Sequence, residues 1–173
     1  IPVVLTNCSN NYGPYHVPEK LIPVVIIKAL AGDTIPVYGN GDNVRDWLYV
    51  EDHANALLLV LEKGEIGRSY NIGGENESSN IELVKMICEI LDSKKPKSNG
   101  SYKDQISFVD DRPGHDARYA INPLRISEEL GWRPSVTLED GLNLTVQWYL
   151  DNEDWWQPLL SRSGVGKRLG LKT

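Results

Sequence analysis

Cysteine is scarce: Cys8 and Cys88 are the only two in 173 residues, they stand far apart, and neither belongs to a CxxC pair. That excludes a disulfide-stapled scaffold and leaves the expectation of two buried thiols in a reducing cytosol. His16, His53 and His115 share no ligand spacing with them, so no metal site is expected. Positive charge is also short, with 18 Lys and Arg against 24 Asp and Glu and a net charge of −6. Such a balance argues against a nucleic-acid or anionic-membrane partner, but a small anion needs only a few local cations. No apolar run reaches the length of a membrane span. Gly-x-Ser-x-Gly, a P-loop and Tyr-x-x-x-Lys are all missing, and the glycine-containing stretch Gly164-Val165-Gly166 follows no strand.

What is there reads as strands alternating with helices, which predicts an α/β class. Ile1 to Leu5 has the unbroken apolar character of a buried parallel strand, and an opening on such a strand suggests a piece of a larger protein. Pro18 and Glu19 before the apolar stretch Leu21 to Leu30, with Gly32 after it, predict a helix, whose start Pro23 would shift a few residues on. Ile35 to Tyr38 reads as an edge strand because of Pro36, and Trp47 to Val50 as a second strand. Asp52 is placed to cap the next helix, with Ala54, Leu57, Leu58 and Leu61 as its inward face. Tyr70 to Ile72 and Ile106 to Val109 read as strands. Ser79 and Glu82 form a capping box for a helix burying Val84, Ile87, Cys88 and Leu91. Asn122, Pro123 and Gly131 bracket a short helix, and Thr137 with Asp140 opens another that turns Leu142, Thr145, Val146 and Tyr149 inward. The basic tail after Trp155-Trp156 is expected to wrap on the surface.

Three clusters carry chemistry. Asn7 to Tyr15 is rich in Asn and follows the opening strand, where open α/β sheets place ligands; the same composition suits a plain turn. Arg45 offers a planar fork to a phosphate, or an ordinary surface pair with Asp46. Asp110 to Tyr119 sets Arg112, His115 and Arg118 on a Pro-Gly loop among acids able to hold the arginine planes. Tyr38 suits stacking on a base or packing at a sheet edge.

Together these segments resemble the dTDP-glucose 4,6-dehydratases of the extended short-chain dehydrogenase/reductase superfamily. The resemblance rests on Thr6 to Tyr15, Pro18 to Pro23, Arg45 to His53, Tyr70 to Gly74 and Asp111 to Asp116, and runs from about residue 2 to about 156. It implies the C-terminal substrate-binding domain, a small mixed sheet with helices, spanning residues 1–173, with 1–15 as the end of a Rossmann sheet whose N-terminal core this chain lacks. It implies a dTDP-sugar as substrate, with Asn10, Lys20 and Leu21 at the sugar diphosphate. Pro36, Val37 and Tyr38 would lie at the nucleotide, Arg45 and Arg112 on phosphate, and Asn80 and His115 nearby. Asn11 would be the residue nearest the nicotinamide of NAD. The family oxidises C4 of glucose, eliminates water across C5 and C6, and returns the hydride to C6. Its glycine fingerprint, Tyr-x-x-x-Lys pair and acid pair are not in these residues, so neither NAD binding nor turnover is expected of this chain alone. A homodimer is implied for the whole protein. Ser163-Gly164-Val165-Gly166 stands where the family often has a tyrosine. A related nucleotide-sugar epimerase or decarboxylase, and a non-catalytic sugar-nucleotide-binding module, are the alternative readings.

Overall fold

The computed structural model describes residues 1–161; the tail readings at residues 163–166 lie outside them. Three small sheets organise the chain. In the first, β1 (Leu5–Cys8) lies parallel to β5 (Ser69–Ile72), with Leu5 opposite Ser69 and Cys8 opposite Ile72. The second gathers around β4 (Val44–Tyr49), which pairs in parallel with β2 (Asn10–Tyr12) and β8 (Arg118–Tyr119) and antiparallel with β6 (Glu77–Ser79). In the third, β3 (Ile35–Tyr38) runs parallel to β7 (Ile106–Val109). The class is mixed α/β, as the alternation of elements predicts.

Helix α1 (Leu21–Ala31) ends where Gly32 takes φ 76° and returns its N–H to the Lys28 and Ala29 carbonyls. Pro23 does not delay the start. It sits in the first turn, where its missing N–H has no intrahelical partner to lose. Glu19 falls before the helix and pairs with Lys20 instead of occupying the first turn. Helix α3 (Asn80–Lys94) carries the full capping box: the Ser79 side chain accepts from the Glu82 N–H, and Glu82 accepts from the Ser79 N–H. Leu83, Val84, Ile87, Cys88 and Leu91 are fully buried, and each of the aliphatic side chains among them stabilises the fold by about 1.5–3 kcal/mol relative to exposure. Burial pushes the Cys88 thiol up to about 12. Helix α5 (Leu138–Asp151) is capped by Thr137 and buries Leu142, Thr145, Val146 and Tyr149. Helices α4 (Leu124–Leu130) and α6 (Glu153–Leu160) complete the set; the Asn122 amide oxygen accepts from the Leu124 N–H, and Gly131 ends α4. The main core joins α1, α3 and α5 with Tyr12, Trp47 and Tyr49.

Further expectations fail. The opening strand begins at Leu5, because Ile1 to Val4 makes no ladder and Ile1 is fully exposed. The Asn cluster contains a strand, β2, formed by pairing with β4 despite poor local propensity. Asp52 does not cap. Helix α2 (Val50–Lys63) starts three residues earlier than an Asp52 cap requires, and the buried Asp52 carboxylate accepts from the Ser135 N–H (2.9 Å), Ser135 hydroxyl (2.6 Å) and Val136 N–H (2.9 Å). That bond set turns Ala56 and Val60 inward, so Leu57, Leu58 and Leu61 face outward at 40%, 58% and 82% exposure. Cys8 is half-buried; both thiols are free.

Candidate nucleotide-sugar cleft

Strand alternation builds the cleft. Along β4, Arg45 and Trp47 face one side. Asp46 faces the other, where its carboxylate accepts from the Gly74 and Asn76 N–H groups at 3.0 Å each. Arg45 therefore does not pair with Asp46. Its buried guanidinium donates to the Val44 carbonyl (2.7 Å) and the Asp116 carbonyl (2.9 Å), fixing the plane between β4 and the 110–117 loop. The Asn43 amide donates to the same Asp116 carbonyl, at 3.1 Å.

Within that loop, Asp111 accepts from the Arg112 N–H at 2.8 Å and meets His115 Nδ1 at 2.7 Å. The His115 hydrogen bond, helped by the Arg112 N–H, holds the Asp111 carboxyl below its ordinary value. The His115 side chain is 6% exposed, with Tyr38 edge-on to it at 6.4 Å. The Arg112 guanidinium is exposed and makes no side-chain hydrogen bond or ion pair among the described residues, although its charge helps hold the neighbouring Asp111 carboxyl low. On the far wall, Gly41 makes the turn after β3 with φ 77°; a Cβ there would meet Ile81 at 2.7 Å and Val37 at 2.8 Å. That close approach, with the Ile81 N–H on the Gly41 carbonyl, draws the start of α3 and Asn80 toward β3.

The result is one cavity of about 410 Å³. It is lined by Asn10 of β2, Lys20 and Leu21 at the start of α1, Pro36 and Tyr38 of β3, Arg45 of β4, Asn80 of α3, and Arg112 and His115 of the loop. Val37 is the exception: β3 alternates, and this side chain is 2% exposed inside the core. Asn11 also lies off this cavity, donating to the Ser9 carbonyl at 3.0 Å and to Cys8 Sγ at 3.3 Å. Sequence reasoning missed Glu19, Val24, Lys28, Trp47 and Val109. Spacing held the signal: Val24 and Lys28 stand three and seven positions after Leu21, and Trp47 two after Arg45. Three buried polar atoms on cavity residues lack any partner among the described residues: Asn10 Oδ1, Asn80 Oδ1 and Trp47 Nε1. An unpaired buried polar atom costs about 1–3 kcal/mol, so such a group points to a ligand or water that completes it.

A family profile described as GDP-mannose 4,6 dehydratase matches residues 1–145. The chain belongs to this family. The dTDP-glucose 4,6-dehydratase of Escherichia coli is 55% identical over 174 residues, covering 99% of this chain and 48% of that protein. Its counterpart from Bacillus anthracis, solved in complex with NAD, superposes with a TM-score of 0.81 at 51% identity, over 90% of this chain and 47% of that one. A UDP-glucose 4-epimerase from Thermotoga maritima, solved with UDP-glucose, reaches 0.75 at 29% identity, over 86% and 46%. The family member described here thus spans about half the length of the curated relatives it matches, and its fold is that of the C-terminal part of the extended short-chain dehydrogenase/reductases.

Proposed function

We propose that this chain is the sugar-nucleotide-binding part of a dTDP-glucose 4,6-dehydratase, which converts dTDP-glucose to dTDP-4-keto-6-deoxyglucose and water. The observation that carries this reading is the convergence of Arg45 and Arg112, distant along the chain, on one cavity. Two guanidinium forks match two phosphates, and Asn10 and Asn80 offer amides to sugar hydroxyls. Pro36 and Tyr38 give the nucleoside an apolar and aromatic wall, and Val37 is not part of it. The identity to dTDP-glucose dehydratases exceeds that to the epimerase, which favours the dehydratase over its relatives.

NAD would be held by the Rossmann half of the whole protein and would supply the hydride chemistry there. Asn11 fits its nicotinamide end, since the buried Oδ1 has no partner among the described residues and suits an amide N–H. The chain alone binds but does not turn over, because its 173 residues hold no Tyr-x-x-x-Lys pair. The Rossmann half would seat on the exposed leucines of α2 and on Leu5, extending the β1–β5 sheet. A cytosolic homodimer is the expected form of the whole protein.

Titration calorimetry with dTDP and UDP tests the site. Arg45→Ala and Arg112→Ala should each lose a charge-assisted bond of about 1.5–3 kcal/mol, roughly 10- to 150-fold in Kd. Equal affinity in the parent and both variants would refute the assignment.

A further inference from the structure

Helix α1 is apolar throughout except for one residue. Leu21–Ala31 reads LIPVVIIKALA, and Lys28 is its only charge. Ile22, Pro23, Val25, Ile26, Ile27 and Ala29 pack into the core. Of the half-buried residues left over, Leu21, Val24 and Lys28 line the cleft, while Leu30 packs against the core. Lys28 thus spends the helix's only ammonium on the cleft wall, and it has no hydrogen-bond, ion-pair or ring partner among the described residues. Among the described residues the single carboxylate lining the cleft, Glu19, already pairs with Lys20 at 3.6 Å.

Position decides what this ammonium meets. Lys20 stands at the helix start, and Lys28 follows eight residues on, roughly 12 Å along the axis at 1.5 Å per residue. One diphosphate does not span that distance. The helix runs from Lys20 toward its end, and Gly32 then leads into β3, whose Pro36 and Tyr38 line the same cleft. Lys28 therefore stands at the nucleoside end while Lys20 marks the opposite one.

We propose that Lys28 is a nucleoside-recognising residue, its ammonium donating to an oxygen acceptor of the pyrimidine or ribose and not to the diphosphate. The inference rests on the nucleotide-sugar reading of the cleft. The competing role is a favourable charge in the last turn of α1, where the helix dipole is negative. That role touches stability and leaves affinity alone.

Calorimetry on the parent, Lys28→Met and Lys28→Arg, with dTDP, UDP and inorganic pyrophosphate, separates the possibilities. Lys28→Met should bind dTDP and UDP about tenfold or more weakly. Pyrophosphate should change less than twofold, and Lys28→Arg should keep most of the nucleotide affinity. Proportional weakening toward pyrophosphate would make Lys28 a general phosphate cation and overturn the proposal. So would unchanged nucleotide affinity with only a lower Tm. If pyrophosphate binds too weakly to measure, salt gives the same distinction: a short hydrogen bond keeps its effect at 1 M, where the Debye length falls to about 3 Å. A loss that vanishes there also overturns it. No dTDP binding by the parent would sink both readings. An Arg45→Ala loss with no Lys28→Met loss would sink this one alone.

Discussion

His16 is the titrating group whose effect on stability is most cleanly isolated. Its ring is largely buried, Nδ1 has no partner among the described residues, and its carbonyl accepts from the Tyr149 hydroxyl. Burial first, and the Lys20 charge second, push it down to about 4 from 6.5. The folded state therefore holds His16 neutral, while the unfolded chain takes up a proton near pH 6.5. Unfolding binds protons across this window, so stability is complete above about 6.5 and falls as pH drops toward 4. At 1.36 kcal/mol per pH unit the whole loss is about 3 kcal/mol, and solvent reaching part of the ring brings the expectation to about 2–3 kcal/mol. Urea midpoints of the parent and His16→Gln between pH 7.5 and 4 measure it. Gln removes the titration and keeps the carbonyl that holds Tyr149. The two curves should diverge below pH 6.5, the parent losing more. Parallel curves would refute the reasoning. Because Lys20 lines the cleft, the same protonation sets a second positive charge against a residue of its wall.

Two more predictions follow from buried groups. Asp52→Asn keeps the shape but turns an amide toward the Ser135 and Val136 donors, so it should cost about 2–3 kcal/mol and lower Tm by roughly 5–10 °C in a thermal melt. At high pH the neutral forms of Cys88, Tyr12 and Tyr149 are favoured by burial, with Cys88 raised to about 12. Their contribution is complete below the unfolded values and is lost as pH rises. Urea midpoints should thus fall from about pH 9 upward, and Cys88→Ala should move that onset toward the tyrosine range near 10.

Much of the fold was legible because local chemistry and tertiary demand agree in α1, α3 and α5. The Ser79–Glu82 box and the Thr137 cap fix helix starts, and regular apolar spacing marks the faces they bury. Helix α2 broke the pattern because its orientation is set by a polar anchor. Asp52 binds the 135–136 backbone, so the side carrying Ala56 and Val60 turns inward and the richer leucine side does not. Strand β2 was illegible because Asn10 and Asn11 favour turns, and only the pairing with Trp47 and Leu48 makes them a strand. At the site, residue types were readable and directions less so. Period-two alternation separates Arg45 from Asp46 and takes Val37 out of the cleft, yet register is a tertiary property.

The parallel pairings have a kinetic consequence. Ile35 meets Ile106 in one sheet and Asn10 meets Trp47 in another, so the walls of the cleft come from segments far apart along the chain. Closing such loops precedes any reward from their contacts, which places this chain among slow, non-local folders. The cleft cannot exist in a partly folded chain that lacks either pairing. A nucleotide held there thus binds only the fully assembled state and draws the folding equilibrium toward it by mass action.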